Sequence, residues 1–314
     1  MELYQLRCFQ TAVEEGGFKR AATRLHITQP ALSYHVKQLE EELGVSLFHR
    51  RPRGVSPTEA GRVLFQYAQK IILGVRRAEH AIQELGEGVT GEIRIGTVDS
   101  VGIYFLPPVL RTVRSMYPAV RPKLFYRNSN DTMEALLSNE LDLAILANPG
   151  SDRRLEQEVL IEESLSLVCS HSHPFFGVPT VKTSDLKGME FAALSLGTPS
   201  GSLIRKYLAH LGVSIEIVAI TNNVETVKKM VEAGLGIAFL PDMVTKRDIP
   251  CEGNTAGNLW RIEVDPPLSR QITLVKWKDM SMSRATKAFV EHLRQYSNEW
   301  RACIDEKSPD PASA

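Results

Sequence analysis

The chain has 314 residues, and 37 Lys and Arg balance 37 Asp and Glu, so its formal net charge at pH 7 is zero. This length fits two or three domains of ordinary globular composition, and no run approaches the roughly 18 apolar residues a membrane span needs. The first residues, MELYQLRCFQ, lack the basic and apolar regions of a signal peptide, and Cys8, Cys169, Cys251 and Cys303 follow no metal-ligand spacing, so the expected setting is the cytoplasm with reduced thiols.

The first element is a helix over residues 2–15, with Leu3, Leu6, Phe9 and Val13 on one face. Next comes FKRAATRLHITQPALSYHVKQLEEEL, from Phe18 to Leu43, in which two apolar-periodic segments meet at His26-Ile27-Thr28-Gln29. Leu32, Val36, Leu39 and Leu43 form one helical stripe. Thr28 is a good N-cap and Pro30 suits the first turn. This pattern predicts a helix-turn-helix, whose second helix enters a DNA major groove; an ordinary helical hairpin with a solvated face is the plainer alternative. Between Lys19 and Leu39 there is no acid, while Lys19, Arg20, Arg24 and Lys37 are basic. With the apolar stripe inward, Pro30, Ser33, Tyr34, Lys37 and Gln38 point outward, able to reach base edges and phosphates. Residues 43–61, LGVSLFHRRPRGVSPTEAG, continue without an acid as far as Thr58. Gly44 ends the helix, Val45 to His49 and Val55-Ser56 can form two short strands, and Arg50, Arg51 and Arg53 sit where such a wing would meet phosphates.

The run AA-x-x-L, QPALS, LE-x-x-LG-x-x-LF-x-R and TEAG resembles the N-terminal domain of the LysR-type transcriptional regulators, in order and at the family's spacing. The candidate DNA-contacting set is Arg20, Thr28, Gln29, Pro30, Ser33, Tyr34, Lys37, Arg50, Arg51 and Arg53. Tyr34 and His35 stand where the family often has Arg and Gln, which leaves the base preference open. Pro57 stands where Leu is usual before the TEAG helix.

Residues 58–88 carry a long helical pattern, with Leu64, Ala68, Ile71, Val75, Ala78, Ile82 and Leu85 at spacings of four and three. Such a heptad seam exceeds what a small winged domain can bury and predicts a partner helix from a second copy. Packing on the chain's own C-terminal part is the alternative. Gly86, Gly88 and Gly91 suit a hinge. The resemblance implies the same linker-helix dimer, a near-palindromic operator of the T-N11-A kind, a tetramer closed by the C-terminal domains, and RNA polymerase as a further partner.

From Glu92 the period changes. Strands are predicted at Ile93–Val98, Lys123–Arg127 and Leu141–Ala147, alternating with helices at Leu106–Tyr117 and Asp131–Asn139. A second run follows, with strands at Leu165–Val168, Glu190–Leu194, Ile215–Ile220, Ile237–Leu240 and Leu259–Val264, and helices at Ser200–Leu211 and Val224–Ala233. A strand at Ile272–Trp277 and a helix at Ser283–Tyr296 complete the chain. This alternation is that of parallel sheets covered on both faces. Two α/β lobes with crossovers near Glu162-Glu163 and Asp265–Pro267 make a hinged clamshell. NNVETVKKMVEAGLGIAFLP is similar to a typical stretch of the family's C-terminal half, which resembles the periplasmic substrate-binding proteins.

The expected fold is therefore multidomain. An all-α winged helix-turn-helix at 1–58 precedes a linker helix at 59–90. A two-lobed α/β effector domain of periplasmic-binding-protein type 2 follows at 91–300, with lobe I at 91–163 and 267–300 and lobe II at 164–266. A polar, Pro-rich tail at 301–314 is expected to be disordered.

Ligands of open α/β sheets bind beyond strand carboxyl ends, where helix N-termini point. Thr97, Asp99 and Ser100 follow the first strand, Asn128, Ser129 and Asn130 the second. Thr198-Pro-Ser200-Gly-Ser202 precedes a helix, and Thr221, Asn222 and Asn223 follow another strand. By resemblance, Ser100, Ser129, Ser200 and Ser202 match effector-contacting stretches; Thr97 and Asn222 join them by position. A small anionic ligand, a carboxylate among the candidates, is the expected effector, with Asp99 requiring a partner such as Arg205. For each residue alone, a cap or turn is the plainer reading.

Other classes fit less well. Gly197-Thr-Pro-Ser-Gly201 lacks the G-x-S-x-G spacing of a nucleophile elbow. His171-Ser-His173 has no supporting metal ligands, and Gly234-x-Gly236 no dinucleotide motif. A thiol switch needs an exposed, activated Cys with a partner, which no cysteine has nearby in sequence. The reading is a ligand-responsive DNA-binding regulator without catalytic residues, metal or cofactor; a small-molecule binding protein without DNA activity is the alternative.

Overall fold

In the computed structural model, which describes residues 1–51, 54–85, 88–245, 258–278 and 282–305, the N-terminal helices end where glycine lets the chain turn. Helix α1 (Leu3–Glu15) stops at Gly16 with φ 59°, and α3 (Gln29–Leu43) stops at Gly44 with φ 68°; α2 (Phe18–Arg24) lies between them. Thr28 caps α3, its hydroxyl accepting from the Ala31 N–H at 3.3 Å. The α3 stripe of Leu32, Val36 and Leu39 is buried in one core with Leu6, Phe9 and Ala12 of α1 and Ala21 and Ala22 of α2. Strands β1 (Phe48–Arg51) and β2 (Gly54–Pro57) pair antiparallel as a wing. The Val55 N–H donates to the Gly16 carbonyl at 3.1 Å, and a Cβ on Gly54 would lie 2.7 Å from that oxygen, so the wing rests on the end of α1. The Glu40 carboxylate accepts from the N–H groups of Leu47 (2.6 Å) and Phe48 (3.3 Å), which ties the end of α3 to the start of the wing.

Pro57 does not disturb the entry to α4 (Glu59–Leu85). Thr58 caps it, its hydroxyl accepting from Gly61 N–H at 3.0 Å and donating to the Ser46 carbonyl at 2.7 Å. The expected seven-residue seam is corrected here. Ala68 is fully buried in the N-terminal core, Ile72 is 3% exposed there, and Leu64 packs against it. Leu64, Ala68 and Ile72 recur every four residues, so on a 3.6-residue helix they share one face, turned onto their own domain. The apolar side chains left outside include Val63, Tyr67, Ile71 and Ile82, exposed by 50%, 58%, 38% and 68%. Arg53 and Gly86-Glu87 of the expected hinge lie outside the described residues, as do the side chains of Arg50, Arg51 and Leu85.

The C-terminal unit, Glu87–Ala314, is built on one long strand. β6 (Leu155–Ser170) is 16 residues long and serves both lobes. Its first part pairs with β12 (Ser269–Trp277), which pairs on its other side with β5 (Leu143–Ala147). β3 (Gly91–Thr97) and β4 (Val120–Tyr126) complete that lobe, both parallel to β5. The last part of β6 pairs with β10 (Ala238–Pro241) on one side and β11 (Leu259–Asp265) on the other. β7 (Thr180–Lys182) extends the sheet beyond β11, and the parallel pair β8 (Glu190–Leu194) and β9 (Glu216–Thr221) joins through a Phe191–Ile237 bridge. A π-helical turn (Val101–Phe105), α5 (Leu106–Met116) and α6 (Ser129–Leu137) cover lobe I. α7 (Pro199–His210), α8 (Val224–Glu232) and the single turn α9 (Asp242–Thr245) cover lobe II.

Two expectations change in the C-terminal unit. The predicted strand at Leu165–Val168 is the far half of β6. The final helix, α10 (Arg284–Asp305), continues past Tyr296: Trp300 stacks edge-on to Phe105, and Arg301 donates to the Val159 carbonyl at 2.9 Å. Residues 301–305, expected in the tail, are therefore helical, and 306–314 lie outside the described residues. Among the described residues no helix is long and apolar enough to cross a membrane.

Ala68 and Gln66 separate the two faces of α4. An unpaired carboxylate in a core carries a desolvation penalty of several kcal/mol, so Ala68→Asp should lower the stability of the N-terminal unit by about 3 kcal/mol or more. Gln66→Asp, on the exposed face, should change it by less than about 0.5 kcal/mol. Urea unfolding followed by circular dichroism measures both.

Candidate functional site

On the N-terminal unit the outer face of α3 carries Gln29, Pro30, Tyr34 and Lys37 exposed, with Ser33 and Gln38 half-buried. Tyr34 is 60% exposed, and its ring is edge-on to His35, which also meets Tyr4 edge-on at 4.9 Å between centroids. His35 thus braces α3 against α1 while Tyr34 projects. Lys37 pairs with Glu41 one turn on at 3.2 Å, an exposed pair worth a few tenths of a kcal/mol, which leaves the ammonium free to exchange partners. Arg20 is exposed and donates to the Glu15 carbonyl. Arg24, basic in the sequence, is mostly buried and paired with Glu14 and Glu15, so its charge is used inside the domain.

In the C-terminal unit a cavity of about 260 Å³ opens between the lobes at the carboxyl ends of β3, β4, β8 and β9. Ser100 and Ser129 line it from lobe I, Ser200 and Asn222 from lobe II, and Arg270 from the start of β12. Their placement follows from local structure. Ser129 opens α6, which Asn128 caps by accepting from the Asp131 N–H at 2.9 Å. Ser200 lies in the first turn of α7, which Thr198 caps by accepting from the Gly201 N–H at 3.1 Å. The caps are thus committed to the backbone, and the serines beside them face the cavity. Ser129 is 1% exposed, and its hydroxyl makes no hydrogen bond among the described residues.

Arg270 holds the centre. It is 3% exposed and lies opposite Glu163 in the register of β12 and β6. Its Nε donates to Glu163 Oε1 at 2.8 Å, Nη1 to Ser200 Oγ at 3.0 Å and Nη2 to Ser100 Oγ at 2.9 Å. One guanidinium therefore bonds a hydroxyl from each lobe. Glu163 also accepts from the Met243 N–H at 3.0 Å; burial pushes its carboxyl pKa up, opposed by Arg270 and by that N–H.

Further contacts cross the cleft. Asn223 Nδ2 donates to Asp99 at 2.6 Å, and the Tyr104 hydroxyl to Glu225 at 2.5 Å, with the Lys228 ammonium 5.9 Å from the Tyr104 ring centre. Asp99 is thus satisfied by Asn223. The expected pairing with Arg205 is corrected, because Arg205 borders a separate, mostly apolar cavity of about 280 Å³ behind β8 and β9. Tyr126 lies over Gly102, where a Cβ would come within 2.4 Å of the ring. Burial and then the charge of Asp99 raise its pKa, which keeps the hydroxyl protonated.

Of the effector set read from sequence, Ser100, Ser129, Ser200 and Asn222 come together around this cavity. Thr97 does not: it is fully buried, and its hydroxyl donates to the Ile145 carbonyl at 3.1 Å. It sits on the last residue of β3, where strand alternation turns it into the sheet. Ser202, a further step along α7, does not line the cavity either. Arg270 and Glu163 were missed; the signal available was a charged residue in each strand at the two expected crossovers. Cys8 and Cys169 are buried thiols, pushed up to about 11 and about 12 by burial, so neither is activated. Cys251 and the Cys303 side chain lie outside the described residues. Among the described residues no group of His, Cys, Asp and Glu could hold a metal ion.

Comparison with known proteins covers both units. Residues 3–62 match the family model described as bacterial regulatory helix-turn-helix protein, lysR family, and residues 86–298 match the LysR substrate binding domain. The HTH-type transcriptional regulator YwqM of Bacillus subtilis is 32% identical over 305 residues, covering 94% of this chain and 99% of that protein. HinK of Pseudomonas aeruginosa, described as a LysR family transcriptional regulator, has a solved structure that is 27% identical with a TM-score of 0.60, over 95% of this chain and 99% of that one. The hydrogen-peroxide-bound structure of a cysteine-to-serine mutant of Corynebacterium glutamicum OxyR is also 27% identical, with a TM-score of 0.61 over 100% of this chain and 98% of that one.

The serines of the cavity should differ in the unliganded protein. Ser129→Ala removes a buried hydroxyl that has no partner among the described residues, so it should leave the thermal midpoint unchanged or raise it. Ser100→Ala leaves an Arg270 N–H without its acceptor and should destabilise by about 1–3 kcal/mol. Differential scanning calorimetry of both variants checks the opposite signs.

Proposed function

The chain belongs to the LysR family of bacterial transcriptional regulators, and on that premise we propose which of its residues read DNA and which receive the effector. α3 enters the major groove and presents Gln29, Pro30, Ser33, Tyr34 and Lys37 to the bases and the adjacent backbone. Arg20, Thr28 and the wing residues Arg50, Arg51 and Arg53 bind phosphates. Support comes from the exposure of this face, from its freedom from acids before Glu40, and from the caps that fix the helix entry. The effector is a small anion held between the lobes by Ser100, Ser129, Ser200 and Asn222. The observation that carries this is the Ser129 hydroxyl, nearly inaccessible, without a partner among the described residues and lining the inter-lobe cavity. The first turns of α6 and α7 add positive dipole ends, which favour an anion. About 260 Å³ lies just below the usual pocket range of about 300–1,000 Å³, so the ligand is small.

The OxyR structure is described as peroxide-bound, but a thiol sensor is not the reading favoured here. Among the described residues no cysteine lines this cavity, and Cys8 and Cys169 are buried with raised pKa values.

Two copies pair through α4, with Ile71, Val75, Ala78, Ile82 and Leu85 of the expected seam joined by the exposed Val63 and Tyr67, while Leu64 and Ala68 serve the domain core instead. The pair presents two recognition helices to a near-palindromic operator. A tetramer closed by the C-terminal units and a cytoplasmic setting complete the reading, with RNA polymerase as the partner at promoters.

Fluorescence anisotropy with full-length protein tests the DNA assignment. Binding to a near-palindromic duplex should weaken steeply with salt. Lys37→Ala should reduce the log–log salt slope by about 1, whereas Tyr34→Ala should reduce discrimination by about 1–3 kcal/mol and leave the slope unchanged. Unchanged affinity in both would remove α3 as the reader. Light scattering tests the pairing: Ile71→Asp should halve the smallest assembly to a monomer, and an unchanged mass would refute it.

A further inference from the structure

We infer that Arg270 is the residue that selects an anionic effector, which it binds in place of the Ser100 and Ser200 hydroxyls that now accept its N–H groups. This rests on the reading of the inter-lobe cavity as the effector site. Arg270 is almost fully buried yet lines the cavity, and it has only donors to offer. Nε donates to Glu163 Oε1 at 2.8 Å and Nη2 lies 2.7 Å from the same oxygen, which with the register of β12 and β6 fixes the plane of the guanidinium. Nη1 and Nη2 carry the edge directed at the serines, and their planar fork matches two oxygens of a carboxylate or phosphate.

Besides Glu163, which Nη2 shares with Nε, the acceptors of Nη1 and Nη2 are the neutral hydroxyls of Ser200 and Ser100. An anionic oxygen is a stronger acceptor for a guanidinium than a neutral hydroxyl, and a carboxylate or phosphate can take both Nη groups at once, so exchange toward the anion is favourable. The displaced hydroxyls each keep a proton and can donate it to the same anion, as can Ser129. Charge balance supports the exchange. Arg270 is matched by Glu163, and Asp99 is engaged by Asn223, so an arriving anion is stabilised by the first turns of α6 and α7 rather than met by a free carboxylate. Ser100 belongs to lobe I and Ser200 to lobe II. The exchange therefore replaces a direct tie between the lobes by one that runs through the ligand, and occupancy is coupled to lobe geometry through a single side chain.

The test uses the full-length protein with oxalate and inorganic phosphate as probes, and neutral oxamide as control, at constant ionic strength. Thermal unfolding of the wild type should shift upward with at least one anion and not with oxamide; no shift with either anion overturns the inference. Glu163→Gln combined with Arg270→Gln removes both charges together and should need about tenfold or more anion for the same shift. If that double variant unfolds non-cooperatively, Arg270→Lys, which keeps the charge and loses the fork, should still weaken the response severalfold. Equal anion affinity in a cooperatively folded variant contradicts the assignment. Ser129→Trp, which fills the cavity, distinguishes the two failures. A response lost in Ser129→Trp but retained without Arg270 overturns the role of Arg270 alone. A response that survives Ser129→Trp places the anion elsewhere and overturns the effector-site reading as well.

Discussion

The C-terminal unit depends on one buried ion pair, Arg270 with Glu163, set opposite each other on β12 and β6. Neither charge is tolerable alone at that depth; breaking such a pair typically costs about 3–5 kcal/mol, because the remaining ion is left uncompensated. The pair sits where the chain passes between lobes, so the same constraint that satisfies the charges also fixes the guanidinium at the floor of the cleft. Ser100 and Ser200 then take their orientation from it, and Met243 is held from the far side by Glu163. What looks like a polar defect in a buried sheet is the point from which the cavity is laid out.

The rest of the cleft follows from strand ends and caps. Asn128 and Thr198 spend their side chains on the backbone of α6 and α7, leaving the adjacent serines free to face the ligand space. Asp99–Asn223 and Tyr104–Glu225 add polar contacts between the lobes that water can replace, so they set an angle without locking it. β6, by contrast, is a continuous strand through both sheets, and its backbone ladder carries the load of keeping the lobes one body.

Much of this was legible in the sequence, and the failures have physical causes. α3 could be read because cap, proline, stripe and terminal glycine all agree from Thr28 to Gly44. The cavity serines were legible because strand ends precede helix starts in a fixed alternation. Thr97 was misplaced by strand parity: one residue decides whether a side chain faces the sheet or the cleft. α4 was misread because Leu64 and Ala68 fit a partner seam and a domain core equally well by spacing; only the position of α1 decides. The first half of β6 went unseen because Glu156, Gln157 and Glu158 interrupt its apolar pattern. Arg270 carries no motif, and its role arises from register with Glu163, a non-local fact. On the N-terminal unit, charge counting overstated the basic surface, since Arg24 is used internally by Glu14 and Glu15.

A crystal structure of the full-length protein grown with oxalate tests the central claim most directly. The account predicts the anion between the lobes, with its oxygens within hydrogen-bond distance of Arg270 Nη1 or Nη2 and of Ser129 Oγ, and with Ser100 and Ser200 turned to donate to it. An oxalate bound elsewhere, with the Arg270 bonds to both serines intact, would contradict it.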